Sequence, residues 1–156
     1  MRRMSWRYRS AVVFLVVLSA CAGGPKLTDD GRRVRAVAEF VAELGHAYER
    51  RDADAVMADI APSFAGRDAL RRDVESAAAE FDTIDLPLTI ERIHLDADTA
   101  TVYLRWDGQW RAAGREPIAR QGAARFIVDT RERSLLAAVI GDMPFGPVGS
   151  TPAGSP

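Results

Sequence analysis

Two histidines, one cysteine and scattered carboxylates are the side chains whose types could do chemistry here, and their spacing narrows what that chemistry is. Proton transfer needs an imidazole or carboxyl group held within reach of a reacting atom in a dry site. His94 ends the strand-like stretch Leu88-Thr89-Ile90-Glu91-Arg92-Ile93-His94, and period-two alternation puts it on the face of Leu88, Ile90 and Arg92. A structural or rim histidine is the plainer reading of it, and a general base is the sharper one. His46 falls off the apolar stripe of a helix-like segment and reads as a solvated side chain. No H-x-x-x-H, carboxylate cluster or His/Asp spacing suggests metal ligands, so neither a metal nor another cofactor is expected. Asp96-Ala97-Asp98 reads as turn chemistry, and Gly108 and Gly114 form no phosphate-cradling pattern. No serine stands out as a nucleophile on a strained turn.

Cys21 is the only cysteine, and its setting is more informative than its isolation. Arg2, Arg3, Arg7 and Arg9 make a basic start without acids, Ala11 to Ala20 an uncharged apolar run, and Cys21-Ala22-Gly23-Gly24 a small-residue end. That is the layout of an export signal, and the run is too short for the ~20 apolar residues of a membrane-spanning helix. Leu18-Ser19-Ala20-Cys21 resembles the bacterial lipobox. The resemblance implies cleavage of residues 1–20, a lipid on Cys21, and two or three acyl chains, enough for stable anchoring. Ordinary secretory cleavage after Ala22 and an uncleaved anchor are the competing readings. Ala22 stands where the enteric retention signal would carry an Asp, so the periplasmic face of the outer membrane is the expected address if the source has two membranes.

Loss of residues 1–20 removes four arginines and no acid, moving the formal charge from −1 to −5. A mildly acidic domain has no electrostatic footprint for nucleic acid, so no nucleic-acid partner is expected. With Cys21 acylated no thiol is left for a disulfide, and the domain must hold by packing alone. Residues 21–30 read as lipidated cysteine and polar tether, 31–143 as one domain, and 144–156, rich in Gly, Pro and Ser, as a disordered tail.

The elements that must position any site follow from periodicity. Val34, Val37, Phe40, Val41, Leu44 and Tyr48 make one face of a helix over Gly31 to Arg50, with Asp29 or Asp30 as its cap. Asp52 caps a short helix from Ala53 to Ile60 that Pro62 prevents from continuing, and a third runs from Arg67 to Phe81. Four strands follow: Leu86 to Leu95, Thr99 to Trp110, Ile118 to Asp129 and Leu135 to Ile140. The second alternates most clearly, with Ala100, Val102, Leu104, Trp106 and Trp110 on one face. The fourth is apolar on both faces, which predicts a second cover, and a homodimer across the sheet is the natural candidate. Helices first and hairpin-linked strands after predict an α+β fold, three helices on one face of a four-stranded antiparallel sheet.

Ala47-Tyr48-Glu49-Arg50-Arg51-Asp52-Ala53-Asp54-Ala55-Val56-Met57 is similar to the junction of the first two helices in the nuclear-transport-factor-2-like family. Ser63-Phe64-Ala65-Gly66-Arg67-Asp68-Ala69-Leu70-Arg71 resembles that family's entry to helix three. The resemblance, over about 31–143, implies a sheet curled round the helices with a conical pocket between them. Members include enzymes, among them polyketide cyclases and ketosteroid isomerase, as well as binding and assembly domains, so fold alone assigns no activity. Enzymes of this fold place an Asp or His in the cone, and here the inward row of the second strand is apolar. Tyr48, Phe64, Trp106, Trp110 and Phe126 are the candidates to line a pocket or contact a partner, with plain core as the blander reading. Trp110, near a hairpin end, is the one expected to close a mouth or meet a partner. The expected function is a membrane-tethered, non-catalytic module for a small apolar ligand or an envelope protein. The alternative is an isomerase, dehydratase or cyclase of the ketosteroid-isomerase type.

Overall fold

The computed structural model describes residues 28–146. The predicted export signal, Cys21, most of the predicted tether and residues 147–156 lie outside the described residues, and with them the predicted lipid site and most of the predicted tail. No helix among the described residues is long and apolar enough to cross a membrane.

Helix α1 spans Asp29–Glu49. Its cap is Thr28 rather than either aspartate, because the threonine hydroxyl accepts from the Gly31 N–H at 3.1 Å. Asp29 and Asp30 fall in the first turn, where negative charge complements the helix dipole. Val37, Val41, Leu44 and Tyr48 are buried as the stripe predicts, while Val34 stays exposed. Arg51 turns the chain out of α1 with φ 60. The Asp52 side chain then caps α2 (Ala53–Ala58) by accepting from the Ala55 N–H at 3.0 Å. The helix stops short of the predicted Ile60, which instead forms a parallel bridge to Leu136, with Leu136 N–H bonded to Asp59 O and Ala61 N–H to Leu136 O. Helix α3 spans Arg67–Glu80 behind Gly66, whose φ of 75 suits glycine, and buries Leu70, Val74 and Ala77.

The sheet has five strands where the sequence predicts four: β1 (Thr83–Asp85), β2 (Leu88–Leu95), β3 (Thr99–Arg111), β4 (Ile118–Asp129) and β5 (Leu135–Gly141). All pairings are antiparallel, with β1 and β2 both on one edge of β3, β4 on its other edge and β5 beyond β4. The extra strand has a simple cause. Asp85 pairs with Gln109 and Leu88 with Trp106, so β1 and β2 keep one register and are a single edge strand interrupted at Leu86-Pro87. Proline lacks the N–H that a continuous ladder needs.

Two irregularities bend the sheet. The pairing slips by one residue between Ile90 and Arg92, and again opposite Ile127 and Val128, leaving Glu91 and Ala137 as extra residues. Such bulges raise local twist and curl a sheet toward what it covers. They also reverse the in–out alternation beyond them, and this matters for the site.

The core lies between the helices and the concave face of the sheet. From β3 it takes Ala100, Val102, Leu104, Trp106 and Trp110, and from β4 Ala124, Phe126 and Val128. The fold is the α+β cone that the order of elements predicts.

Candidate functional site

The family resemblance expects any chemistry inside the cone, and the inward row of β3 decides the character of that interior. Trp106 and Trp110 lie two residues apart from Gly108, and each large ring needs the space beside a small neighbour. A Cβ on Gly108 would lie 2.2 Å from the Trp110 ring, and one on Gly122 would lie 2.7 Å from the Trp106 ring. The two glycines are the seats of the two indoles.

Trp110 is 1 % exposed, so it neither closes a mouth nor meets a partner, contrary to its position near a hairpin end. Its Nε1–H donates to the Tyr48 hydroxyl at 3.3 Å, which joins β3 to α1 through the middle of the cone. The Trp106 Nε1–H donates to the Asp142 carbonyl at 3.0 Å. Tyr48, Phe64 and Phe126 are buried as well, so all five aromatic candidates pack into one core. Burial holds the Tyr48 phenol above its ordinary pKa of 10, only partly offset by the bonds from Trp110 and Gly146.

Phe81 and Phe145 are buried in the same core, and Phe145 falls in the stretch that composition marks as tail. Phe145 is 2 % exposed, with its ring edge-on to Tyr48 at 5.3 Å and tilted against Phe126 at 6.0 Å. The Gly146 N–H donates to the Tyr48 hydroxyl at 3.3 Å. The predicted tail boundary is therefore corrected: Pro144, Phe145 and Gly146 are buried parts of the domain. The signal was a lone large apolar residue, Phe145, between the prolines of Met-Pro-Phe-Gly-Pro. Apolar area of that size leaves water at roughly 25 cal/mol per Å2, enough to order a short segment that composition alone marks as loose.

His94 goes the other way. The bulge at Glu91 inserts one residue, so Leu88 and Ile90 pair with Trp106 and Leu104 on the inward face whereas Arg92 and His94 pair with Tyr103 and Thr101 on the outer one. The expectation that His94 shares a face with Leu88 and Ile90 is thus corrected. Its side chain is 68 % exposed and lies 3.6 Å from Asp96, outside the cone. His46 is also exposed, beside Glu49 at 3.0 Å. Among the described residues no acidic, basic or histidine residue is buried as a whole, although the Arg67 Nε and part of the Asp59 carboxyl are, and no group of three His, Cys, Asp or Glu lies close enough to hold a metal ion.

The outer face of the sheet has a different chemistry. The Arg92 guanidinium stacks over the Tyr103 ring at 4.1 Å and that of Arg125 approaches it at 6.0 Å. Arg105 pairs with Glu91. Strand β5 is apolar on both faces as its sequence predicts: Leu136 and Val139 pair with Val128 and Phe126 on the inward side, whereas Ala138 and Ile140, beyond the bulge, pair with Ile127 and Arg125 outside. Ile140 is 47 % exposed there. Open depressions of about 370 and 280 Å3 lie on this surface, the first lined by Thr89, Arg105, Asp107 and Gln121, the second by Tyr103, Arg125 and Ile140.

Known structures confirm the architecture. A protein from Novosphingobium aromaticivorans provisionally described as a scytalone dehydratase superposes with a TM-score of 0.64 at 14 % identity, over 77 % of this chain and 95 % of its own. One from Streptomyces avermitilis, provisionally described as a dehydratase of the nuclear-transport-factor-2-like family, gives 0.61 at 17 % identity, over 72 % and 95 %. Another Novosphingobium aromaticivorans protein, provisionally described as an aromatic ring hydroxylase, gives 0.60 at 18 % identity, over 72 % and 90 %. No family model and no curated protein matches the chain. The fold is the nuclear-transport-factor-2-like cone, and at these identities the likeness carries the fold alone.

Proposed function

We propose that this chain is an envelope lipoprotein, held by lipid on Cys21, whose cone domain is a non-catalytic binding or assembly module. One observation carries the reading: the place where this architecture would hold an acid–base group is packed with Tyr48, Trp106, Trp110, Phe126 and Phe145. Proton abstraction needs a titratable group aimed at substrate in a dry site. The histidine that could have supplied it stands on the opposite face of the sheet. The partner is a small apolar molecule or another envelope protein, and the outer face around Tyr103, Ala138 and Ile140 is the surface on which we place a second copy of the chain. Native mass spectrometry of the full chain tests this. A retained ligand, a second copy or a defined envelope partner supports it, and a bare monomer that recovers no partner from envelope extracts removes its support.

A second reading keeps the isomerase or dehydratase class alive through one contact. The Asp73 carboxylate of α3 lies beside Gly146, close enough to the Tyr48 hydroxyl to raise its pKa further. If the segment around Gly146 withdrew, a phenol and a carboxylate would share one opening. Turnover of a ketosteroid or hydroxylated aromatic substrate, lost in Asp73→Asn, would favour this reading over the first.

A further inference from the structure

The register sets Arg92 opposite Tyr103, Tyr103 opposite Arg125 and Arg125 opposite Ile140, so one row crosses four strands on the outer face of the sheet. Directly opposed side chains on one face stand about 5 Å apart, close enough to interact. The Arg92 guanidinium lies over the Tyr103 ring at 4.1 Å, and that of Arg125 comes within 6.0 Å of the same centroid. Two like charges thus share one ring. The chain has 22 acidic residues against 21 basic ones, and other exposed arginines take one of them, as Arg105 takes Glu91 and Arg115 takes Glu80. Among the described residues neither Arg92 nor Arg125 is paired with a carboxylate. Stacking fixes the plane of a guanidinium and leaves its in-plane N–H fork open to grip a carboxylate or phosphate. The neighbouring row sets Ile127 opposite Ala138, and with Ile140, 47 % exposed, these make an apolar strip beside Arg125. An open depression of about 280 Å3 joins the charged and apolar halves, lined by Glu91, Tyr103, Ala123, Arg125 and Ile140. The Glu91 carboxylate there is engaged by Arg105.

We propose that this row is the head site for a single-chain anionic amphiphile, whose carboxylate or phosphate bridges Arg92 and Arg125 and whose hydrocarbon lies over Ile127, Ala138 and Ile140. The proposal rests on the binding-module reading above and specifies both its ligand and the face that takes it. A wholly apolar ligand would gain nothing from the two guanidiniums, and an inorganic anion would leave the apolar strip bare. A second copy centred on this row without an anion would set guanidiniums against guanidiniums, and like charges in contact oppose docking.

Octanoate is the probe, beside acetate (the head without the chain) and octanol (the chain without the charge). Each is titrated into the full chain as wild type, Arg92→Gln/Arg125→Gln, Ile140→Ser and Arg111→Gln, with NMR shifts followed at the Tyr103 and Ile140 amides. Octanoate should bind wild type at least about tenfold more tightly than acetate does, and the double variant should lose about tenfold. Ile140→Ser should weaken octanoate about threefold and leave acetate unchanged. Arg111→Gln removes an equal charge at the far end of β3, where the guanidinium donates to Gln109, and should bind as wild type does. Octanol should not distinguish wild type from the double variant, and added salt should weaken octanoate alone. Every substituted side chain is exposed, and unchanged shifts at the buried Val102 show that the variants fold. Octanoate that binds wild type and the double variant alike overturns the site. A double variant that turns a dimer into a monomer without added octanoate assigns the two arginines to acids of a second copy, and overturns it too. Phosphatidylglycerol vesicles that retain the Cys21→Ser chain, but not that chain with both arginines replaced, while octanoate stays unbound, assign the row to a bilayer surface and overturn the single-molecule site. A native ligand or partner kept equally by wild type and the double variant overturns the site while upholding the module reading. A chain that binds nothing in any form sinks both.

Discussion

Replacing Tyr48 by Phe deletes one oxygen from the middle of the cone and leaves two N–H donors behind, from Trp110 and Gly146. A buried donor left without a partner costs ~1–3 kcal/mol. Both bonds are 3.3 Å long, so the low end applies to each. The lost hydroxyl gives back part of this, because its desolvation is no longer needed, and the net destabilisation comes to roughly 1–2 kcal/mol. For a domain of this size that lowers Tm by roughly 4–8 °C. Trp110→Phe removes the other end of one bond, so a double-mutant cycle with Tyr48→Phe isolates that bond, with an expected coupling of about 0.5–1 kcal/mol. Urea unfolding followed by tryptophan fluorescence reads both quantities, although Trp110→Phe also leaves a small cavity that the cycle must subtract. A Tyr48→Phe protein within about 1 °C of wild type, with no coupling to Trp110, would refute the reasoning that this hydroxyl ties α1, β3 and the segment around Gly146 together.

Gly108→Ala should destabilise by ~1–3 kcal/mol, because its Cβ has to push the Trp110 ring aside. Gly114→Ala, with nothing within 4 Å of its Cβ, should cost only the ~1–2 kcal/mol of a left-handed φ, and calorimetry compares the two. His94→Ala should stay within ~0.5 kcal/mol of wild type, as expected of an exposed outer-face residue. Burial holds the Asp59 carboxyl above its ordinary 3.8, with Arg133 offsetting part of the shift. A carboxyl raised on folding stabilises the fold below the unfolded value and loses that contribution as pH climbs through the folded one. Asp59→Asn should therefore raise Tm at pH 7 and leave it nearly unchanged at pH 3. Cys21→Ser should move the protein from the membrane to the soluble fraction, and persistent membrane association of that variant would overturn the anchor.

The sequence carried the parts of this fold that repeat without interruption. β3 alternates over its whole length, so Val102, Leu104, Trp106 and Trp110 could be placed inward from spacing alone. The phase of α1 was equally plain from Val37, Val41, Leu44 and Tyr48. What escaped was local and short. A three-residue strand cut off by Pro87 has too few residues to show a period. The bulge at Glu91 changes the parity of every residue after it, and no residue type announces it, so periodicity alone puts His94 on the wrong face. The same parity change at Ala137 decides which apolar residues of β5 face inward, Leu136 and Val139, and which face outward, Ala138 and Ile140. Phe145 was hidden because composition describes its neighbours, whereas burial is decided by the one ring that finds a seat between Tyr48 and Phe126.

The central claim, that the cone is a closed aromatic core with no solvated catalytic pocket, is tested most directly at the Trp110 indole N–H. Its exchange with deuterated solvent, followed by NMR on the full chain, reports whether water reaches the floor of the cone beside Tyr48. A filled cone predicts that this proton exchanges orders of magnitude more slowly than a free indole, released only when the domain opens locally or as a whole. Exchange at close to the free rate in the folded protein would mean a wet pocket at Tyr48, and would contradict the account.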